Sequence, residues 1–117
     1  MLAGALFTAG PAQAQTGFHE VENFGSNPGN LRMFAYVPEN ARSGAPVVVL
    51  FHACGGSAQD LDVHTGWRKY ADLYGFTIVF PEQKPENVGS GGPVPHTCFS
   101  AWNPVDRTHD GEGEARS

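Results

Sequence analysis

From Phe51 to Ser57 the chain reads Phe-His-Ala-Cys-Gly-Gly-Ser, a run that brings an imidazole, a thiol, a hydroxyl and two adjacent glycines within seven residues. Three chemistries compete for it. A serine nucleophile on a strand-to-helix turn needs the pattern G-x-S-x-G. Gly55-Gly56-Ser57-Ala58-Gln59 lacks the final glycine, and Ser57 stands several residues past the apolar run before it. A helix cap explains Ser57 better, because Asp60 follows three residues later, where a carboxylate completes the capping pattern. Ser90 and Ser100 have no motif around them. Metal binding is the second chemistry, with His52, Cys54, His64, His96, Cys98 and His109 as candidate ligands. Zinc sites show close ligand pairs such as Cys-x-x-Cys, and only His52-x-Cys54 and His96-x-Cys98 come near, so no metal is expected. The third chemistry belongs to the backbone. Gly55 and Gly56 can take angles that turn amide N–H groups outward, as an anion-holding loop requires.

The elements around this loop place it. Pro46 leads into Val47-Val48-Val49-Leu50-Phe51, an apolar, valine-rich run suited to a strand buried on both faces of an α/β sheet, with helices covering both sides. In such sheets, ligands bind in the crevice beyond the carboxyl ends of the strands, where this loop lies. Ser57 predicts a helix starting at Ala58. Thr65-Gly66 interrupts it, and Trp67, Tyr70, Ala71 and Tyr74 then recur at helical spacing, which predicts a second helix with a buried aromatic face that stops at Gly75. Phe76 to Phe80 is the next strand, so the span from Val47 to Phe80 forms a βαβ unit with parallel strands. Upstream, Leu31 to Val37 alternates as a strand near the sheet edge, and the short link to Val47 allows only antiparallel pairing of those two. Gln15 to Asn30 reads as polar with a turn cluster, and from Pro81 onward the proline and glycine density predicts loop without a strand.

Composition narrows the function classes. With 117 residues the chain has room for one domain, and 40% apolar against 16% charged residues is a globular balance. Seven Lys and Arg against 12 Asp and Glu, with no basic cluster beyond Arg68-Lys69, exclude the electrostatic footprint of a nucleic-acid binder. Residues 1–14 read as a secretory signal, apolar from Leu2 to Ala9 and ending in Ala12-Gln13-Ala14, although no basic residue precedes Arg32. No apolar run reaches the ~20 residues of a membrane span. In an exported protein Cys54 and Cys98 read first as one disulfide; in a reducing compartment they would be free thiols.

Several separated motifs then coincide. Phe51-His52-Ala53-Cys54-Gly55-Gly56-Ser57-Ala58, Thr65-Gly66-Trp67, Tyr74-Gly75-Phe76, Phe80-Pro81-Glu82-Gln83 and Cys98-Phe99, in this order, resemble the N-terminal part of the extracellular polyhydroxybutyrate depolymerase family of esterases. The resemblance runs from about Asn30 to Ser117. It implies an α/β-hydrolase sheet, mixed but mostly parallel, related to feruloyl and acetylxylan esterases, with no cofactor and with a polyester or other ester as substrate. It implies that the backbone N–H of Cys54 lies at an oxyanion hole. The family carries Gly where this chain has Ala53, and Cys-Phe-Asn-Trp-Phe where it has Cys98-Phe99-Ser100-Ala101-Trp102, so a substrate-wall role for Trp102 rests on an aromatic moved by one place. It also implies that nucleophile, acid and histidine fall beyond Ser117. The expectation is then an N-terminal portion of a secreted serine esterase, from a truncated or fragmentary gene, inactive and marginally stable as it stands. A feruloyl or acetylxylan esterase portion, or a non-catalytic secreted module gripping polymer through Phe99 and Trp102, are the alternatives.

Overall fold

The computed structural model describes residues 15–87 and 97–99. Four strands and two helices follow in the order β1 (Gly17–Glu20), β2 (Arg32–Val37), β3 (Val47–Val49), α1 (Ala58–His64), α2 (Trp67–Tyr74) and β4 (Thr77–Glu82). The strands form one sheet in the order β1-β2-β4-β3. β3 and β4 are parallel, as the βαβ reading requires, with Val48 opposite Ile78. The other two ladders, β1 with β2 and β2 with β4, are antiparallel. The α/β class therefore holds, but the described sheet is mixed and not mostly parallel.

Other expectations need correction too. β4, arriving last in the chain, inserts between β2 and β3, so β2 is an inner strand and never meets β3. The edge position goes to β1, four residues of the sequence Gly-Phe-His-Glu that the polar reading of 15–30 passed over. β4 runs on through Pro81 and Glu82, where loop was expected. The reason lies in alternation. Val79 accepts from Leu50 N–H at 2.9 Å, so its backbone polar groups face β3. Pro81, two residues on, faces the same way, and there β3 has already ended, so the missing N–H of proline costs no ladder bond.

Alternation also divides the sheet into two faces. Phe18, Phe34, Tyr36, Val48, Ile78 and Phe80 pack with Ala58 of α1 and Ala71 of α2 into one core, in which Ile78 and Phe80 are fully buried. Both helices among the described residues cover this face, whereas the expectation put helices on both. The opposite face of β3 is bare: Val47 is 57% exposed and Val49 48%, so the strand is not buried on both sides. α2 likewise differs from expectation. It turns Ala71 inward and leaves Tyr70, Leu73 and Tyr74 more than half exposed or at half exposure, with Trp67 partly covered by an edge-on contact to Phe76.

The helices are tied down by polar contacts as well. Asp62, buried on α1, pairs with Arg68 of α2. Arg68 lies over the Tyr36 ring, 4.8 Å from its centroid, and the Tyr36 hydroxyl donates to Asp72 at 2.6 Å. Burial first, and then the Asp72 carboxylate, push the Tyr36 phenol up to about 12. Asn40 and Arg42, on the β2–β3 connection, donate to the carbonyls of Asp72 and Tyr74 at 2.8 and 2.9 Å, satisfying the last turn of α2.

Candidate functional site

The site lies at the carboxyl ends of β3 and β4. It begins with His52, buried although the residues on both sides of it are exposed. Its Nε2 lies 3.0 Å from the backbone nitrogen of Gln83. A backbone N–H can only donate, so Nε2 accepts, and the ring proton sits on Nδ1, which donates to Ala53 O at 2.8 Å. Gln83 faces the same side of β4 as Val79 and Pro81. The imidazole therefore takes the place that β3 backbone would occupy if the strand continued, and it extends the ladder with a side chain.

The turn follows from this anchor. Gly56 N–H donates to Ala53 O at 2.9 Å, closing a four-residue turn over 53–56. Gly55, third in that turn, has φ +77°, a conformation that favours glycine. Gly56 is required for a different reason: a Cβ there would stand 3.0 Å from Ala53 O. Among the described residues the non-glycine positions with positive φ are Asn23 and Asn30, so Ala53 occupies ordinary backbone space and the turn makes no demand for glycine there.

The Ala53 carbonyl thus accepts twice, from the His52 ring and from Gly56, and both donors hold it toward the interior of the turn. Its peptide unit is trans, in which C=O and N–H point in opposite directions. The N–H of that unit belongs to Cys54. It is consequently directed outward from the turn, on an exposed residue, and no acceptor among the described residues takes it.

A second segment clasps the loop. Cys54 and Cys98 form a disulfide, with Cα atoms 4.2 Å apart across a separation of 44 residues, which is the first of the two cysteine readings. Closing a loop of that length stabilises by up to about 4 kcal/mol in the chain-entropy account. Gly55 N–H donates to Thr97 O at 3.3 Å, and the Gln83 side chain, itself buried, donates to Cys98 O at 3.3 Å. Phe99 packs on His52 with centroids 4.8 Å apart and edge-on against Phe51 at 5.2 Å, leaving Phe51 63% exposed.

After the turn, α1 starts where the capping pattern places it. Ser57 Oγ accepts from Asp60 N–H at 3.1 Å and donates to the Asp60 carboxylate at 2.8 Å, so its hydroxyl is occupied as a cap. The first helical N–H, that of Ala58, goes elsewhere: it donates at 2.8 Å to Glu82 Oε2, at the end of β4. Glu82 Oε1 receives Arg32 Nη1 at 3.0 Å, and Arg32 holds Glu20 with two bonds of 2.8 Å. These bonds, first of all, hold the Glu20 carboxyl below the usual carboxylate range and the Arg32 guanidinium above its ordinary value. The Glu82 link carried no sequence signal beyond its place in the Phe-Pro-Glu-Gln motif, since it joins residues 24 apart.

The structure thus brings His52, Cys54, Ser57, Gln83 and Cys98 together. His64 lies apart, on α1, with Nδ1 3.1 Å from Asp60 O. No group of three or more His, Cys, Asp or Glu among the described residues is arranged to hold a metal. Trp102, His96, His109, Ser90, Ser100 and the signal-like residues 1–14 lie outside the described residues. No helix among the described residues is long and apolar enough to cross a membrane.

No family model matches the chain. Individual proteins do. Feruloyl esterase B of Talaromyces funiculosus is 33% identical over 98 residues, which is 84% of this chain and 25% of that protein. Poly(3-hydroxyalkanoate) depolymerase C of Paucimonas lemoignei is 38% identical over 98 residues, 84% of this chain and 22% of that protein. Acetylxylan esterase A of Emericella nidulans is 34% identical, over 84% of this chain and 29% of that protein. Among solved structures, the acetyl xylan esterase from Aspergillus awamori superimposes with a TM-score of 0.53 at 32% identity, over 56% of this chain and 24% of that one. The chain therefore spans less than a third of the length of these relatives. Over most of its own length, however, it is a homologue of the esterase group that includes poly(3-hydroxyalkanoate) depolymerase, feruloyl esterase and acetylxylan esterase.

Proposed function

We propose that these residues form the oxyanion-binding side of a secreted serine esterase. The observation that carries the reading is the Cys54 N–H, turned outward by a doubly bonded Ala53 carbonyl and left without an acceptor among the described residues. A backbone donor fixed in this way stabilises the oxygen that becomes negative when an ester carbonyl is attacked. The attacking serine, its histidine and its acid come from outside these 117 residues, which contain no G-x-S-x-G pattern. The serine forms an acyl-enzyme, and water releases the acid. Cys54 N–H and the N–H after the nucleophile together receive the oxyanion. The 117 residues by themselves do not turn over ester. Export fits the Cys54–Cys98 disulfide, which persists in oxidising compartments. The substrate is a polyester or another ester, in keeping with the names of the relatives.

Reading the encoding DNA past the codon for Ser117 tests this. A continuing frame with G-x-S-x-G, then an aspartate and a histidine, supports it, and a stop codon at that point overturns it. The expressed polypeptide, offered polyhydroxybutyrate, methyl ferulate and acetylated xylan, then identifies the acyl group. A non-catalytic polymer-binding module is the second reading, favoured by the exposed Phe51 ring held against Phe99. It requires retention on polyester granules without hydrolysis.

A further inference from the structure

Both ends of the turn over 53–56 are fastened to the same strand, by different means. At its entrance, His52 receives the Gln83 N–H in the plane of the sheet. At its exit, the fastening is the Glu82 carboxylate, on the face that carries Ile78 and Phe80 and that α1 covers. We propose that Glu82 is a positioning residue for the Cys54 N–H, an inference that rests on the oxyanion reading above.

Ala58 is fully buried, so its N–H cannot turn to water, and Ser57 caps Asp60 instead. Glu82 is the acceptor that fixes where the turn ends. Its side chain is only 12% exposed, and its second oxygen is engaged by Arg32, which Glu20 grips in turn. The carboxylate is therefore held in one orientation by β1 and β2 while it holds α1. Three residues separate Ala58 from Cys54, and two of them, Gly55 and Gly56, belong to the turn. A displacement of Ala58 has no slack to absorb it, because the disulfide and the His52 bond fix the other end. An oxyanion donor works only when it is already in place as charge develops, and small displacements of such groups cost rate and not substrate affinity.

The test compares Glu82→Ala, Glu82→Gln and Glu82→Asp in the esterase polypeptide that contains this chain. The Gln variant keeps an oxygen within reach of Ala58 N–H; the Asp variant keeps the charge but withdraws it by one methylene. With p-nitrophenyl acetate, Glu82→Ala is expected to lower kcat on the order of tenfold to a hundredfold with KM within about twofold. Glu82→Asp falls similarly, and Glu82→Gln recovers most of the rate. An unchanged kcat in Glu82→Asp, a change confined to KM, or a Gln variant as slow as the Asp variant overturns the proposal. The last result would assign the effect to the Arg32 ion pair. If the parent hydrolyses no ester, the esterase reading falls separately, and the amide resonance of Cys54 decides the positioning claim. Its displacement in Glu82→Asp but not in Glu82→Gln sustains it, and an unmoved resonance in both refutes it.

Discussion

The two faces of the sheet are cut from the same strands, yet they are finished differently. On one, Phe18, Phe34, Tyr36, Ile78 and Phe80 meet two helices, and a chain of polar contacts from Glu20 to Ala58 closes the margin. On the other, Val47 and Val49 stand about half exposed with no helix over them among the described residues. The difference shows where the stability of this chain resides. Apolar side chains on both faces came from the same strand-forming pattern, but only burial converts that pattern into free energy. The site is anchored at the end of β4, a strand that both helices touch, by Glu82 on the finished face and by the Gln83 N–H in the plane of the sheet.

Substitutions can measure this contrast. The largest effect is expected at Phe80, fully buried at the centre of the finished face. Phe80→Ala should destabilise by about 3–5 kcal/mol, read from the midpoint of chemical denaturation. A cost below about 1 kcal/mol would mean that this face is not the core. Ser57→Ala removes the cap of the helix that lies over this face, with an expected loss of about 1 kcal/mol in the same melts. Tyr36 gives a pH signature. Its phenol is raised from 10.0 to about 12, so its contribution is complete below pH 10 and is lost as pH rises to about 12, because the unfolded chain ionises first. Melts across that range should show falling stability, and Tyr36→Phe should flatten the slope. The smallest effect belongs to the bare face: Val49→Ala should change stability by no more than about 0.5 kcal/mol. A loss as large as that of Phe80→Ala would show that Val49 is covered in solution, and would erase the contrast.

Local chemistry was the legible part of the sequence. The Ser57 cap, the start of α1 at Ala58, the break at Thr65-Gly66 and the stop at Gly75 each depend on neighbours within four residues. The cysteine pair was legible because only one intramolecular pairing exists. Sheet order was not. Nothing in Leu31 to Val37 announces that its partner is Phe80 and not Val48, since strand pairing joins distant segments through backbone groups that every residue shares. β1 escaped notice because Gly17-Phe18-His19-Glu20 lacks the β-branched run by which strands are recognised. The spacing of Trp67, Tyr70 and Tyr74 marked one face of α2 but could not say whether that face turns inward; Ala71 does so instead. In the site, the motif from His52 to Ser57 was legible as a loop, while the bonds that hold it, His52 to Gln83 and Ala58 to Glu82, span 31 and 24 residues and left no local trace.

Pro81 has an effect on the loop that its own surroundings do not disclose. A strand that ends beside a paired neighbour can lengthen by adding backbone bonds one after another, and loops at such places tend to zip shut. Here the position where β3 would add its next bond meets a residue with no hydrogen to give. The gap between strand and turn is thus written into the opposite strand and not into the loop that borders it. Altering residues 53–56 would change the turn and leave the end of β3 where it is, whereas restoring a donor at position 81 would invite β3 to lengthen toward the turn.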